Sequence, residues 1–182
     1  MSSETHAGSH AIDGAFTVRD ARDRYLADNG FSTDTYTASW VTVDFLFGTR
    51  VTFPNTRDRQ RAIPLHDLHH VATGYGTDLV GEAEIGAWEI AAGCTNLALY
   101  VLNGTVFVLG LFTHPIRTLR AFRLGRRHRS LYREAVTYEE LLALTVADLR
   151  ARLGVPPKGL ADHTPGYNAS AARAKKLAPS RS

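Results

Sequence analysis

The spacing of apolar and polar positions divides the chain into a series of helices. Val18, Ala21, Tyr25 and Leu26 fall on one face of a helix over 18–28, with Thr17 placed to cap it and Asn29-Gly30 to end it. Residues 40–53 are rich in β-branched and aromatic side chains around Gly48-Thr49 and read as a small β-hairpin. A short helix is the competing reading of their first half. Pro54-Asn55-Thr56 then punctuates, and Asn55 or Thr56 caps a helix that runs through 57–62 to Thr73, kinked or restarted at Pro64. Gly74 closes it, 75–80 form a loop, and a second helix starts near Gly81 with Glu82, Glu84, Trp88 and Glu89. From 90 to 116 there is no Asp, Glu, Lys or Arg, and Asn103-Gly104 reads as a turn between two buried helices. Thr137-Tyr138-Glu139-Glu140 has the form of a capping box. Leu141, Leu142, Leu144, Val146, Leu149 and Leu153 follow as an apolar stripe with a break at Thr145, ended by Gly154 and Pro156-Pro157. The expected fold class is mainly α: a single-domain helical bundle over 15–157 with one small β-hairpin near the N-terminus. Residues 1–14 and 158–182, small and polar, read as a disordered N-terminal tail and a mobile C-terminal tail.

Composition narrows the picture. At 182 residues, 44% hydrophobic and 21% charged, the chain has the size and balance of one folded domain, which excludes wholesale disorder. Cys94 is the sole cysteine, so neither a disulfide framework nor a Cys-rich zinc site is available. The formal charge is only +3, but Arg117, Arg120, Arg123, Arg126, Arg127, Arg129 and Arg133 arrive with no acid among them. No base-reading module accompanies these arginines, which argues against nucleic acid. Anionic lipid headgroups, or the carboxylate or phosphate of an anionic substrate, fit better beside so apolar a segment, with a solvated basic face as the plain alternative.

Residues 1–14 lack the basic and apolar regions of a secretory signal, so the expected location is the cytoplasm or the cytoplasmic face of the inner membrane. The run 90–116 is long enough to span a bilayer, which takes about 20 residues. Its polar interruptions favour buried or lipid-lined helices and a peripheral protein. Within it, 97–102 and 106–112 are expected either to line an apolar slot or to be ordinary core.

The chemistry concentrates in His66-Asp67-Leu68-His69-His70 and Gly81-Glu82. On a helix, His66 and His70 sit one turn apart, Asp67 shares the edge of that face, and an antiparallel next helix returns Glu82 to it. Two imidazoles and two carboxylates suit a divalent cation: zinc first, with manganese or iron(II) as alternatives. No Lys or Arg lies between Arg61 and Arg117, so Asp67, Asp78, Glu82, Glu84 and Glu89 lack basic partners nearby in sequence. The alternative is ordinary helix histidines bonded to backbone, with Glu82 and Glu84 placed by the helix dipole. His69 faces the other flank and is expected to support the site or the core rather than to bind the ion. His-Asp phosphohydrolases also use such a pair, but they need a histidine in a preceding helix, and none occurs between His10 and His66.

The pattern His-Asp-x-x-His, eleven residues, then Glu is met by His66, Asp67, His70 and Glu82. With Gly74, Thr77, Glu89, Tyr132, Glu139-Glu140 and the ending Leu149-Arg150…Leu153-Gly154-Val155-Pro156, it resembles the coenzyme Q biosynthesis protein 4 family, as a divergent bacterial-type member. The resemblance covers about 60–157. It implies a mainly helical, often dimeric, peripheral membrane protein with His66, Asp67, His70 and Glu82 as metal ligands. The function implied is ubiquinone or related prenyl-quinone biosynthesis: metal-dependent oxidative decarboxylation of a polyprenylated hydroxybenzoate, as a lyase. A non-catalytic prenyl-lipid-binding scaffold for other quinone-biosynthesis proteins is the alternative. Glu84 and His69 are proton-donor candidates by proximity in sequence only.

Overall fold

Short polar side chains start nearly every helix by accepting a backbone N–H from the first turn. In the computed structural model, which describes residues 12–44 and 50–161, α1 (Val18–Asn29) is capped by Thr17 and closed by Gly30 in the left-handed conformation. After a single turn, α2 (Asp34–Thr37), two strands pair antiparallel: β1 (Trp40–Asp44) and β2 (Arg50–Pro54), in register from Trp40 opposite Pro54 to Asp44 opposite Arg50. The turn expected at Gly48-Thr49 falls on 45–49, outside the described residues. The rest of the described chain is helical but for turns and loops, so the molecule is mainly α.

Thr56 caps α3 (Arg57–Thr73), which continues through Pro64 as one element. A proline at that depth removes one helical hydrogen bond and costs about 3 kcal/mol. Burial offsets that cost, because every residue of 67–73 is buried and α3 is the central helix. Asp78 caps α4 (Leu79–Ala92). Val18, Leu68, Val71, Ile85, Trp88, Leu149 and Leu153 form the heart of the core, drawn from α1, α3, α4 and the C-terminal helix.

The expected turn at Asn103-Gly104 is absent: α5 (Leu97–Thr113) runs straight through it. Asn103 points inward and is buried, so it serves a polar partner rather than a turn, and one glycine in a helix costs only about 1 kcal/mol. The break comes instead at His114, after which Pro115 opens α6 (Pro115–Gly125). Both α5 and α6 pack on α4. A 3₁₀ turn (Leu131–Arg133) leads to the capping box at Thr137, then α7 (Tyr138–Ala143) and, past the break at Thr145, α8 (Val146–Leu153). The ends of the described chain are docked. Gly14 accepts from the Ala147 amide, while the Leu160 and Ala161 amides donate to the Thr73 carbonyl. Ordered backbone therefore extends beyond 15–157 on both sides, and the tail readings for 1–11 and 162–182 lie outside the described residues.

The α4–α6 contact depends on Gly125, where an added Cβ would lie 2.4 Å from the Trp88 carbonyl oxygen and 2.9 Å from Ala91 Cβ. Backbone cannot swing aside. Gly125→Ala is therefore expected to destabilise the protein by about 1–3 kcal/mol, read as a lower denaturant midpoint.

Candidate metal centre

Two local devices bring α3 and α4 to a common site. Gly74, at φ 78°, turns the chain back so that the Tyr75 carbonyl meets His70. The loop then packs so closely on the first turn of α4 that a Cβ on Gly81 would lie 2.0 Å from the Gly76 carbonyl oxygen. Only glycine fits there, and the next residue is Glu82.

His66, His70 and Glu82 converge, with one ligand atom of each within 4.8 Å of the others. His66 Nε2 lies 3.1 Å from His70 Nε2, and the Glu82 carboxylate oxygens lie 3.7 and 3.6 Å from those two atoms. The far ring nitrogens fix the chemistry. His70 Nδ1 donates to the Tyr75 carbonyl (3.0 Å), since a carbonyl only accepts. His66 Nδ1 donates to Glu89 Oε1 (2.9 Å). In the neutral rings both Nε2 atoms then present lone pairs to each other beside a carboxylate. Such an arrangement requires a cation between them. In the metal-free chain a proton on His66, donated to His70, fills that role; a divalent ion would engage Glu82 as well.

Charge follows this logic. Burial works against a charged His66, but Glu89 and Glu82 outweigh it and raise its pKa well above the ordinary value. Burial and the charge of His66 push His70 down, with Glu82 opposing them. Burial would raise Glu82, yet His66 and His70 hold it below the usual carboxylate range. His66 and Glu82 keep 24% and 34% of their side chains exposed, so the centre opens to solvent on one side. Tyr25 from α1 stacks on His70, ring centroids 5.5 Å apart.

Asp67 stands apart from the three. It is buried, accepts from Tyr36 of α2 at 2.5 Å, and its pKa is raised by burial against the pull of that hydrogen bond and the imidazoles. His69 is enclosed, Nδ1 at 2.7 Å from Glu89 and Nε2 accepting from the Leu131 amide, so neither nitrogen is available to an ion. Glu84 faces elsewhere: Arg117 of α6 grips both its oxygens, at 3.1 and 2.8 Å. Glu84 thus has a partner distant in sequence rather than a local one, and its candidacy as a proton donor by proximity in sequence is corrected; two positions past Glu82 on a helix is about 200° around the axis. The two helices preceding the motif bring Tyr25 and Tyr36 rather than a histidine, and His10 lies outside the described residues.

Sequence reasoning missed Tyr25, Tyr36, Tyr132, Asn103 and the role of Glu89. Two signals were present. Glu89 lies two helical turns after Glu82, and Asn103 is, with Asn96, one of two side-chain amides in the run 90–116.

The set of two imidazoles and one carboxylate suits a divalent ion that keeps a coordination position for substrate, as catalytic zinc and non-haem iron sites do. Compared with protein-family models, curated proteins and solved structures, the chain matches none.

Proposed function

We propose that this is a metal-dependent protein of ubiquinone or related prenyl-quinone biosynthesis, acting on the ring carboxylate of a polyprenylated hydroxybenzoate. The observation that carries the reading is the convergence of His66 Nε2, His70 Nε2 and the Glu82 carboxylate, with Asp67 held by Tyr36 outside that group. When bound, the ion would act as a Lewis acid toward the carboxylate or neighbouring hydroxyl. The chain's own residues orient the ligands and hold the Glu82 charge. In an oxidative decarboxylation the oxygen would come from an external oxidant. Turnover of a carboxylated, prenylated ring by purified metal-loaded protein, abolished in Glu82→Gln, is the expected result. Tail-length-dependent binding without turnover would favour the alternative of a prenyl-lipid-binding scaffold for other quinone-biosynthesis proteins.

The outer surface supports a peripheral membrane site for either role. No helix of the described chain is long and apolar enough to cross a membrane. The segments expected either to line a slot or to be ordinary core are corrected in part: Leu97, Val101, Val108 and Phe112 face outward on α5, and Ile116 continues them on α6. Eight of the eleven large apolar side chains exposed among the described residues lie from Leu97 to Leu119, and so concentrated a patch marks an interaction surface. Arg120 and Arg123 share the exposed face of α6 with Ile116 and Leu119. An apolar stripe with a basic flank fits an anionic lipid surface, where each arginine near the headgroups adds about 1 kcal/mol. A second copy of the chain would set this acid-free flank against another like itself. The protein should sediment with vesicles containing anionic lipid, less at high salt. Phe112→Ser with Ile116→Ser should leave it in the supernatant; unchanged sedimentation of that variant would remove α5–α6 as the contact.

A further inference from the structure

We propose that Glu89 is a positioning residue for the metal centre: its carboxylate holds the Nδ1–H of His66, so that the Nε2 lone pair is aimed at His70 and Glu82. The proposal rests on the metal reading above but assigns a role to a residue that is not one of the three ligands. The geometry leaves Glu89 no other part in the site. Its Oε1 accepts from His66 Nδ1 (2.9 Å), His69 Nδ1 (2.7 Å) and the Tyr132 hydroxyl (3.0 Å), and its Oε2 accepts from the Asn103 amide (2.6 Å). Four donors therefore converge on one carboxylate, three at Oε1 and one at Oε2. It is wholly buried, and among the described residues it is not in the group that can hold an ion.

Each partner has its own anchor. His69 is fixed by the Leu131 amide, Tyr132 by the same turn, and Asn103 by the middle of α5. Three separate elements therefore hold one anion still, and that anion sets one tautomer. This gives Asn103 a reason to interrupt an apolar run, and it accounts for a third histidine in the motif that binds nothing. A buried anion in such a network adds little net stability compared with an apolar core, so the arrangement is better explained by what it does to His66. A carboxylate on the far nitrogen of a metal-binding histidine fixes ring orientation and raises ligand basicity.

The test is a titration of metal-free full-length chain with Co²⁺, followed by its visible absorption, with thermal midpoints measured on the same samples. Wild type should take up about one equivalent. Glu89→Gln keeps the shape, removes the charge, and should bind Co²⁺ about 10–100-fold more weakly with altered absorption bands. A lowered midpoint with Co²⁺ affinity and spectrum unchanged would show a structural role only and overturn the proposal. Absence of binding by wild type would overturn the metal reading and this one with it, a result distinct from failure at Glu89 alone. Zinc-loaded wild type supplies a second readout if the variant does not fold. Nitrogen-15 NMR should show His66 protonated at Nδ1 and metal-bound at Nε2, and metal at Nδ1 would overturn the proposal.

Discussion

Replacing His70 with alanine is expected to strip the purified protein of nearly all its divalent metal. Structural zinc in small domains binds with about 10–16 kcal/mol, shared by four ligands, so one ligand is worth roughly 3 kcal/mol, or about two orders of magnitude in affinity. Here only three residues converge, so each should count for at least as much. His70 also carries structure. It is 2% exposed, stacks on Tyr25 and ties to the Tyr75 carbonyl, so its truncation will lower stability as well. Glu82→Gln separates the two effects, because that side chain is one-third exposed and loses charge but little volume. Elemental analysis after dialysis should find about one metal per wild-type chain and little in either variant. Full occupancy in both would remove the assignment of these residues to a metal.

The same residues predict a pH signature. The pKa of His66 is raised in the folded chain. Its protonated form therefore stabilises the metal-free protein below the unfolded value of about 6.5, and that contribution is lost as pH climbs through the raised value. A bound ion takes the proton's place, so adding Zn²⁺ should abolish the decline on the alkaline side. Denaturant midpoints across pH, with and without Zn²⁺, measure this; parallel curves would mean that the ion and the proton do not share a site.

Much of this arrangement was legible in the chain because helix starts are local. Thr17, Thr56 and Thr137 each cap the helix that follows, and His66 and His70 share a face by helical arithmetic alone. What the sequence concealed depends on which way a side chain turns. Asp67 shares the histidines' flank in sequence, yet α2, which no periodicity announced, brings Tyr36 to it and separates it from the ligand group. Glu84 looked unpaired because Arg117 is 33 positions away, reached only once α6 packs on α4. Asn103-Gly104 has the composition of a turn, but the buried carboxylate of Glu89 holds that amide within α5. In each case a long-range polar contact overrode a local signal.

Arg150→Ala is expected to lower the stability by about 2–4 kcal/mol. The side chain is 1% exposed. Its Nε donates to the Ala72 carbonyl at the end of α3, and its Nη1 to the carbonyls of Ile12 and Pro157, at 3.0, 2.9 and 2.7 Å. Leaving a buried carbonyl unpaired costs about 1–3 kcal/mol; the Ala72 carbonyl meets that description, while those of Ile12 and Pro157 are only partly buried and add less. A positive charge at the C-terminal end of α3 also complements that helix's dipole. The contribution is reduced because burial lowers the Arg150 pKa and Nη2 has no partner among the described residues. Arg150→Met, which keeps the apolar stem, should lose nearly as much; a loss below about 1 kcal/mol would mean that the carbonyls find other donors. The consequence reaches the metal centre, since the end of α3 that Arg150 holds is two residues beyond His70. An ion that binds only the folded chain adds about 2.7 kcal/mol at a hundred times its dissociation constant. Zn²⁺ at that level should therefore restore much of what Arg150→Ala loses. Should Zn²⁺ raise the midpoint of wild type but not of the variant, the two imidazoles would depend on Arg150 for their alignment, and α8 would belong to the metal centre as much as α3 does.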